Sequence, residues 1–415
     1  MIKIWNKDIE CCSDRKKIED IQLERLRHMA CKAYENVPFY KKRFDESGIK
    51  PEMIKSLSDL KNLPFTTKED LRDNYPFGLF AEPMKNVVRL HASSGTTGKP
   101  VVAGYTKGDI EVWSEAIARI VTAGGIDEND VVQISFGYGL FTGGFGLHYG
   151  IEKVGATIVP MSSGNTQKQL MLMQDFGTTA LVATPSYAMY LSEMIKEKEI
   201  PRENFKLKYG FFGSEAMSEK MREKLEDSMG ILVTSNYGLT EVMGPGVSGE
   251  CIYKCGEHIN EDMFIVEIID PRTGEVLPYG ESGEVVITTL TKEAMPVLRY
   301  RTRDISYIIP EPCTCGRTSY RLAPIQGRTD DMLKIKGVNL FPSEIESVVL
   351  EFPQVSPNYQ LILRRENMLD TLEIVVELVD GSLLERFSEI EKLENEMKER
   401  LHSVLGLSLI HISEP

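Results

Sequence analysis

Ser93-Ser94-Gly95-Thr96-Thr97-Gly98-Lys99-Pro100 lies between two apolar runs, Val87-Val88-Arg89-Leu90 and Pro100-Val101-Val102-Ala103. The pattern predicts a strand, a loop and a strand. Four hydroxyls, two glycines and a lysine in this stretch place backbone N–H groups, side-chain donors and one cation on a flexible turn, a composition suited to a polyphosphate. It is not a Walker loop. Only Thr96 and Thr97 separate Gly95 from Gly98, and Pro100 stands where a Ser or Thr would hold Mg²⁺. A Ser/Gly-rich hairpin turn is the plain alternative.

Downstream, apolar runs alternate with amphipathic segments. Helices are expected over Asp109–Ala123, Gln167–Phe176, Tyr187–Lys198 and Ser218–Met229, and strands over Val131–Ile134, Ala156–Val159, Ala180–Ala183, Tyr209–Phe212 and Ile231–Thr234. Such alternation indicates βαβ units and an α/β domain with a largely parallel sheet, whose ligands bind at the carboxyl ends of the strands. Two clusters fall at those ends. Phe136–Gly144 offers Tyr138 and Phe141 as aromatic walls on a glycine-rich backbone, for an apolar small molecule or simply for packing. Ser235–Glu241 ends in Thr240-Glu241, a hydroxyl beside a carboxylate, suited to a phosphate with Mg²⁺ or to a helix N-cap.

Upstream, Asp14–Glu35 reads as an amphipathic helix, and Thr67 as the N-cap of a helix in which no chemistry is demanded. From Asp262 onward the pattern becomes strands and turns, an antiparallel subdomain that leads into Leu298–Asp304. There three arginines and Asp304 suit either a solvated strand face or ribose and phosphate recognition. Gly327–Gly337 is a polar joint to a last, small α+β unit with the character of a mobile lid.

At 415 residues the chain exceeds a single core. Apolar content of 42% and charged content of 27% are those of a soluble globular protein. A net charge of −14 disfavours a nucleic-acid or anionic-membrane surface, so an anionic ligand must meet local donors. The start lacks a signal-peptide core and no long apolar run follows, so a cytoplasmic location is expected. Seven cysteines without an export signal favour reduced thiols or a metal site. Cys251, His258, Cys313 and Cys315 form an acceptable shell for a structural Zn²⁺, with Cys255 as a competing ligand; buried reduced thiols are the alternative.

In order, Ser94–Lys99, Tyr237-Gly238-Leu239-Thr240-Glu241, Tyr300–Asp304 and Gly327-Arg328-Thr329-Asp330-Asp331 resemble the motifs of the adenylate-forming superfamily of acyl-CoA synthetases, luciferases and peptide-synthetase adenylation domains. His148-Tyr149-Gly150, Gly164-Asn165-Thr166, Thr184-Pro185-Ser186-Tyr187, Gly244-Pro245-Gly246-Val247 and Cys313–Arg317 are similar to the phenylacetate–CoA ligase family within it. The resemblance runs from about Leu63 to Gly406. It implies a large ATP- and acyl-binding domain over residues 1–327 and a small α+β lid domain over 328–406. The implied reaction joins an aryl acid, phenylacetate above others, to coenzyme A through an acyl-adenylate, with release of AMP and pyrophosphate.

By the same resemblance, Ser94, Gly95, Thr96, Thr97, Gly98 and Lys99 cradle the β- and γ-phosphates of ATP, Thr240 meets the α-phosphate, and Glu241 holds Mg²⁺. Asp304 binds the ribose hydroxyls, and Arg328 binds a phosphate or ribose oxygen. Thr240, Glu241, Arg328 and Lys99 are the implied catalytic set. Ser214, Glu215, Asn236, Tyr237 and Gly238 surround the adenine, Tyr138, Phe141, Ala216 and Pro245 line the aryl pocket, and Asp330 is the hinge. The Cys/His set resembles a zinc site of some family members. A homodimer is compatible with the resemblance. A synthetase with another acceptor, such as a deazaflavin cofactor, and a nucleotide-binding protein with impaired catalysis are the alternatives. The superfamily also carries an essential lysine near the end of its small domain. Residues 407–415 do not continue the family pattern and resemble an adapter-derived, non-native tail. The lysine is therefore expected to be missing, with ATP bound but adenylation poor.

Overall fold

The computed structural model describes residues 3–93, 99–330, 333–335, 338–340, 342–366, 369–405 and 411–413. They group into two compact units, residues 1–215 with 225–324 and residues 216–224 with 325–415.

The first unit opens with α1 (Lys7–Glu10), α2 (Arg15–Asn36), α3 (Pro38–Glu46) and α4 (Lys68–Asp73). The Asp14 side chain caps α2, which buries Ile18, Leu26, Met29 and Ala30, the apolar stripe of the sequence. Thr67 caps α4 in a reciprocal arrangement with Asp70, as expected. β1 (Val87–Ala92) and β2 (Val102–Thr106) pair antiparallel on either side of the opening loop, in the predicted strand–loop–strand order. Ser94, Gly95, Thr96, Thr97 and Gly98 themselves lie outside the described residues.

Next come α5 (Lys107–Ala123), β3 (Val131–Ile134), α6 (Thr142–Val154), β4 (Thr157–Val159), α7 (Thr166–Asp175), β5 (Ala180–Ala183), α8 (Pro185–Glu197), β6 (Tyr209–Gly213), α9 (Glu219–Met229), β7 (Leu232–Leu239), β8 (Gly244–Glu250) and β9 (Glu257–Ile259). Strands β4-β3-β5-β6-β7 run parallel in that spatial order, and β8 and β9 extend the sheet antiparallel. Every helix and strand expected between residues 109 and 234 is present within a few residues. The helix α6 is an addition to that expectation. Its glycines disfavour a helix by propensity, but tertiary packing decides otherwise. A methyl at Gly146 would lie 2.2 Å from Trp113 Cζ2, and one at Gly150 would lie 2.2 Å from Ile117 Cβ, so glycine is what lets α6 lie directly on α5.

The expected antiparallel region follows as β10 (Phe264–Ile269), β11 (Gly283–Thr289) and β12 (Tyr300–Ser306), with β10-β11 and β11-β12 paired. β13 (Ile308–Ile309) and β14 (Arg321–Leu322) join the large sheet beside β9.

Besides residues 219–224 of α9, the second unit holds β15 (Gly327–Arg328), β16 (Leu333–Ile335), β17 (Val338–Leu340), α10 (Pro342–Val349), β18 (Val355–Glu366), β19 (Leu369–Leu378), α11 (Phe387–Leu405) and β20 (His411–Ser413). β18 and β19 pair antiparallel, and β20 runs parallel to β19. Ile345, Val348 and Val349 of α10, Leu372, Ile374 and Val376 of β19, and Leu393, Met397 and Leu401 of α11 close one core. The four-residue spacing in α11 puts its three contributors on one helix face. This is the α+β unit read from the sequence. Among the described residues, no helix is long and apolar enough to cross a membrane.

Candidate active site

A cavity of about 180 Å³ opens at the carboxyl ends of the parallel strands. Phe136 follows β3, Gly213 and Ser214 end β6, Asn236, Gly238 and Leu239 end β7, and Thr142, Gly143 and Leu147 come from the first turns of α6. Phe141 and Pro245 add apolar wall, and Lys68 and Ser93 add polar groups. The added helix α6 is therefore part of the site.

Thr240 and Glu241 sit in the turn that joins β7 to β8, not at a helix N-terminus. The amides of Val242 and Met243 both donate to Leu239 O. The hairpin closes tightly enough that a methyl at Gly238 would be 2.0 Å from Gly244 O, so only glycine fits there. Thr240 Oγ1 lies 3.1 Å from Thr142 Oγ1, which ties the turn to the start of α6. Glu241 is 5% exposed yet lines the cavity, with Lys68 Nζ 3.6 Å from its carboxylate. Lys68 is carried there because Thr66 bonds in both directions with the start of β12, Thr66 N to Arg299 O at 3.0 Å and Arg301 N to Thr66 O at 2.9 Å. The helix in which no chemistry was expected thus supplies a cation to the site.

Tyr237 Oη donates to Asp304 Oδ2 at 2.5 Å, joining the second and third sequence motifs across 67 positions. Asn236 is fixed by its Nδ2 bond to Phe212 O at 3.0 Å. Ser214 has a φ of +74°, a left-handed conformation that a serine adopts only where its surroundings impose it. Glu215 is exposed and accepts from Ser186 N at 3.2 Å. The arginines near Asp304 are engaged elsewhere: Arg299 with Glu267 at 2.9 Å, Arg301 with Glu284 at 2.5 Å and Arg303 with Glu69 at 2.8 Å. They hold carboxylates of the protein, so the alternative of arginines poised for phosphate is not what this strand does.

Two expected pocket residues are placed differently. Tyr138 is absent from the cavity wall; its ring packs edge-on to Phe145 with centroids 5.2 Å apart, and its hydroxyl lies 3.1 Å from His148 Nδ1. Ala216 is exposed and belongs to the second unit. Lys99 is exposed, its Nζ 5.6 Å from the Tyr75 ring centroid. In the second unit Arg328 and Asp330 form a bidentate pair at 2.9 and 3.1 Å.

The cysteine cluster assembles. The ligand atoms of Cys251, His258, Cys313 and Cys315 all lie within 4.8 Å of one another, and all four residues are buried. Cys251 Sγ to Cys313 Sγ is 3.7 Å and Cys315 Sγ to His258 Nε2 is 3.3 Å. A tetrahedral zinc with its usual bond lengths requires about 3.8 Å between sulfurs and about 3.6 Å from sulfur to nitrogen, so the donor set fits that ion. His258 Nδ1 is 3.1 Å from Ser319 Oγ, which leaves Nε2 facing the sulfurs. Cys255 is exposed and turns its thiol to Tyr253 O at 3.1 Å, which removes it as a competing ligand. A hydrogen bond with Cys315 and burial raise the Cys251 thiol, and the same bond and His258 lower Cys315.

The family model of the AMP-binding enzymes matches residues 36–291, and the model of the AMP-binding enzyme C-terminal domain matches residues 337–413. A phenylacetate–coenzyme A ligase of Thermus thermophilus is 48% identical over 394 residues, 95% of this chain and 88% of that protein. The chain belongs to the phenylacetate–coenzyme A ligase family of AMP-binding enzymes. A phenylacetate–coenzyme A ligase of Escherichia coli K12 is 46% identical over 94% of this chain and 90% of that protein. Among solved structures, 2-hydroxyisobutyryl-CoA ligase in the postadenylation state, in complex with 2-HIB-AMP, superposes with a TM-score of 0.92 at 27% identity, covering 99% of this chain and 89% of that chain. The adenylate-forming fold, with its large AMP-binding and small C-terminal domains, is thus the fold of this chain.

Proposed function

We propose that this chain is an ATP-dependent ligase that joins phenylacetate to coenzyme A. The acid's carboxylate attacks the α-phosphorus of ATP and expels pyrophosphate; the thiolate of coenzyme A then attacks the acyl carbon of the adenylate and expels AMP. The observation that carries the reading is the meeting of a hydroxyl–carboxylate turn, Thr240-Glu241, with an apolar wall of Phe136, Phe141, Leu147 and Pro245 at one cavity. Relatives named for phenylacetate support the choice of acid.

Transfer at phosphorus depends on positioning and charge neutralisation. Thr240, tied to Thr142, is assigned the α-phosphate, and Glu241, a buried carboxylate open to the cavity, fits Mg²⁺. The bound ion would neutralise phosphate charge. Asp304, oriented by Tyr237, is assigned the ribose hydroxyls; Ser214, Glu215, Asn236, Tyr237 and Gly238 the adenine; Ser94–Lys99 the phosphates; and Arg328 a phosphate or ribose oxygen. Asp330 is assigned the hinge between a large domain over residues 1–327 and a lid over 328–406. Phe141 and Pro245 keep their place at the aryl end, whereas Tyr138 is assigned support for Phe145 behind it. A structural zinc on Cys251, His258, Cys313 and Cys315 would join the turn after β8 to the Cys313–Arg317 turn.

The test is a product assay with ATP, Mg²⁺, coenzyme A and a panel of aryl and aliphatic acids, read by chromatography of the CoA thioester together with AMP. Whatever thioester forms is expected to be phenylacetyl-CoA, matched by AMP in equal amount. Preference for an aliphatic acid, or thioester formation with ADP as the product, overturns the reading.

A further inference from the structure

Behind the cavity, four donors each meet a main-chain carbonyl of a segment that shapes it. His91 Nδ1 is 3.0 Å from Leu140 O, Trp113 Nε1 donates to Pro245 O at 2.6 Å, Tyr105 Oη to Met243 O at 2.7 Å, and Lys292 Nζ to Glu241 O at 3.4 Å. The rings of Tyr105 and Trp113 stack with centroids 5.0 Å apart, and His91 meets both edge-on, so the three form one block. Three of the four carbonyls, those of Glu241, Met243 and Pro245, belong to the β7–β8 hairpin.

Lys292 differs from the others in carrying charge. It is 0% exposed, and its ammonium stands 4.8 Å over the Tyr105 ring. Its main chain is fixed from α5, because Asp109 accepts from Glu293 N at 2.6 Å and Ala294 N at 3.0 Å. Asp109 also accepts from Thr106 N at 2.7 Å, so its carboxylate is provided for by backbone donors without the lysine. A buried ammonium is unfavourable unless something specific requires it. The carbonyl of Glu241 is what the side chain reaches.

We propose that Lys292 is a positioning residue, which pins the Thr240–Glu241 turn from its buried side and holds the Glu241 carboxylate at the cavity. The inference rests on the reading of Glu241 as the Mg²⁺ ligand given above. Lys292 takes no part in the reaction itself; Glu241 lies between it and the cavity, and Tyr105, bonded two residues further along the turn, acts with it.

The test measures ATP affinity by calorimetry with and without Mg²⁺ in the full chain and in Lys292→Met, Lys292→Gln, Tyr105→Phe and Glu241→Gln. Lys292→Met is expected to weaken Mg²⁺·ATP binding about tenfold while ATP without Mg²⁺ stays within about twofold. Lys292→Gln, which keeps a donor for the carbonyl, recovers most of that loss, and Tyr105→Phe loses a smaller factor of about threefold. Loss of the Mg²⁺ effect in Glu241→Gln, with Lys292→Met behaving as the parent, overturns the inference alone. Equal losses in Lys292→Met and Lys292→Gln overturn the assignment to the carbonyl bond. An unchanged Mg²⁺ effect in Glu241→Gln shows instead that the reading of Glu241 has failed. If Lys292→Met does not fold, Lys292→Gln and Tyr105→Phe decide, and parent-like Mg²⁺·ATP affinity in Tyr105→Phe with tenfold loss in Lys292→Gln counts against the shared turn.

Discussion

Gly150→Ala sets two effects of opposite sign against each other. In an exposed helix, alanine is favoured over glycine by roughly 1 kcal/mol. At this position in α6 the new methyl would stand 2.2 Å from both Cβ and Cγ2 of Ile117 and 3.1 Å from Ala118 N. Carbon atoms in contact sit about 3.5–4.0 Å apart, so well over an ångström of overlap has to be relieved. Ile117 is wholly buried on α5, and its Cβ moves only with the main chain, so the helices themselves must part. Overpacking of this kind costs about 3 kcal/mol at the upper end of its usual range, which leaves a net loss of about 2 kcal/mol after the propensity gain. In a unit of this size that corresponds to a melting temperature about 3 °C lower, read by thermal unfolding with an intrinsic-fluorescence or dye signal. Because Thr142, Gly143 and Leu147 of the same helix line the cavity, the Michaelis constant for the acid should rise with the loss of stability. A melting temperature equal to or above the parent's would mean that propensity outweighs packing here and would refute the argument.

The cluster at Cys251 is expected to carry about one zinc per chain by elemental analysis, lost in Cys313→Ser and kept in Cys255→Ser, because Cys255 faces Tyr253 O. Equal zinc in both variants would exclude Cys313 as a ligand. Tyr237→Phe removes the donor to Asp304 and should raise the Michaelis constant for ATP about threefold to tenfold, with little change for the acid; an equal rise for both would show a general disturbance of the cavity. Burial lowers the pKa of His91 below the ordinary value of about 6.5. Between the lowered and the ordinary value the unfolded chain binds more protons, so stability should fall as the pH drops below about 6.5, and the fall should lessen in His91→Gln; an unchanged acid limb would locate the titrating group elsewhere.

What could be read in the sequence was local. Ser93–Pro100 and Ser235–Glu241 announce themselves because hydroxyls, glycines and an acid are adjacent in the chain, and the βα alternation from Asp109 to Thr234 has a strong period. The expectation failed where distant partners decide the outcome. The glycines of α6 look like a loop until Trp113 and Ile117 are placed against them. Lys68 looks like an ordinary first-turn residue until Thr66 joins β12. Lys292 looks like one more charge in Thr291-Lys292-Glu293, and nothing adjacent distinguishes it from Glu293, which pairs outward with Lys32 and His28. A single buried donor leaves no periodic trace.

Of the two alternatives open for Leu298–Asp304, period alone bears on one. In Tyr300–Ser306 the buried positions are Tyr300, Thr302, Asp304 and Ser306, and the intervening Arg301 and Arg303 are less buried. A strand puts alternate side chains on opposite faces, so a carboxylate at position 304 and arginines at 301 and 303 should not be expected at one ligand. The register supports the same alternation. Residues Arg301 to Ile305 of β12 span the distance from Val286 to Glu284 of β11, an even slip that preserves which face each residue takes. Arg303 absorbs that slip with a φ of +69°. Asp304 therefore turns inward to Tyr237, while Arg301 and Arg303 turn to Glu284 and Glu69. The motif combines a ligand-facing acid with two arginines that brace the strand presenting it, which is why charge-reversal at Glu284 or Glu69 should disturb the site through Asp304 and not through any arginine of its own.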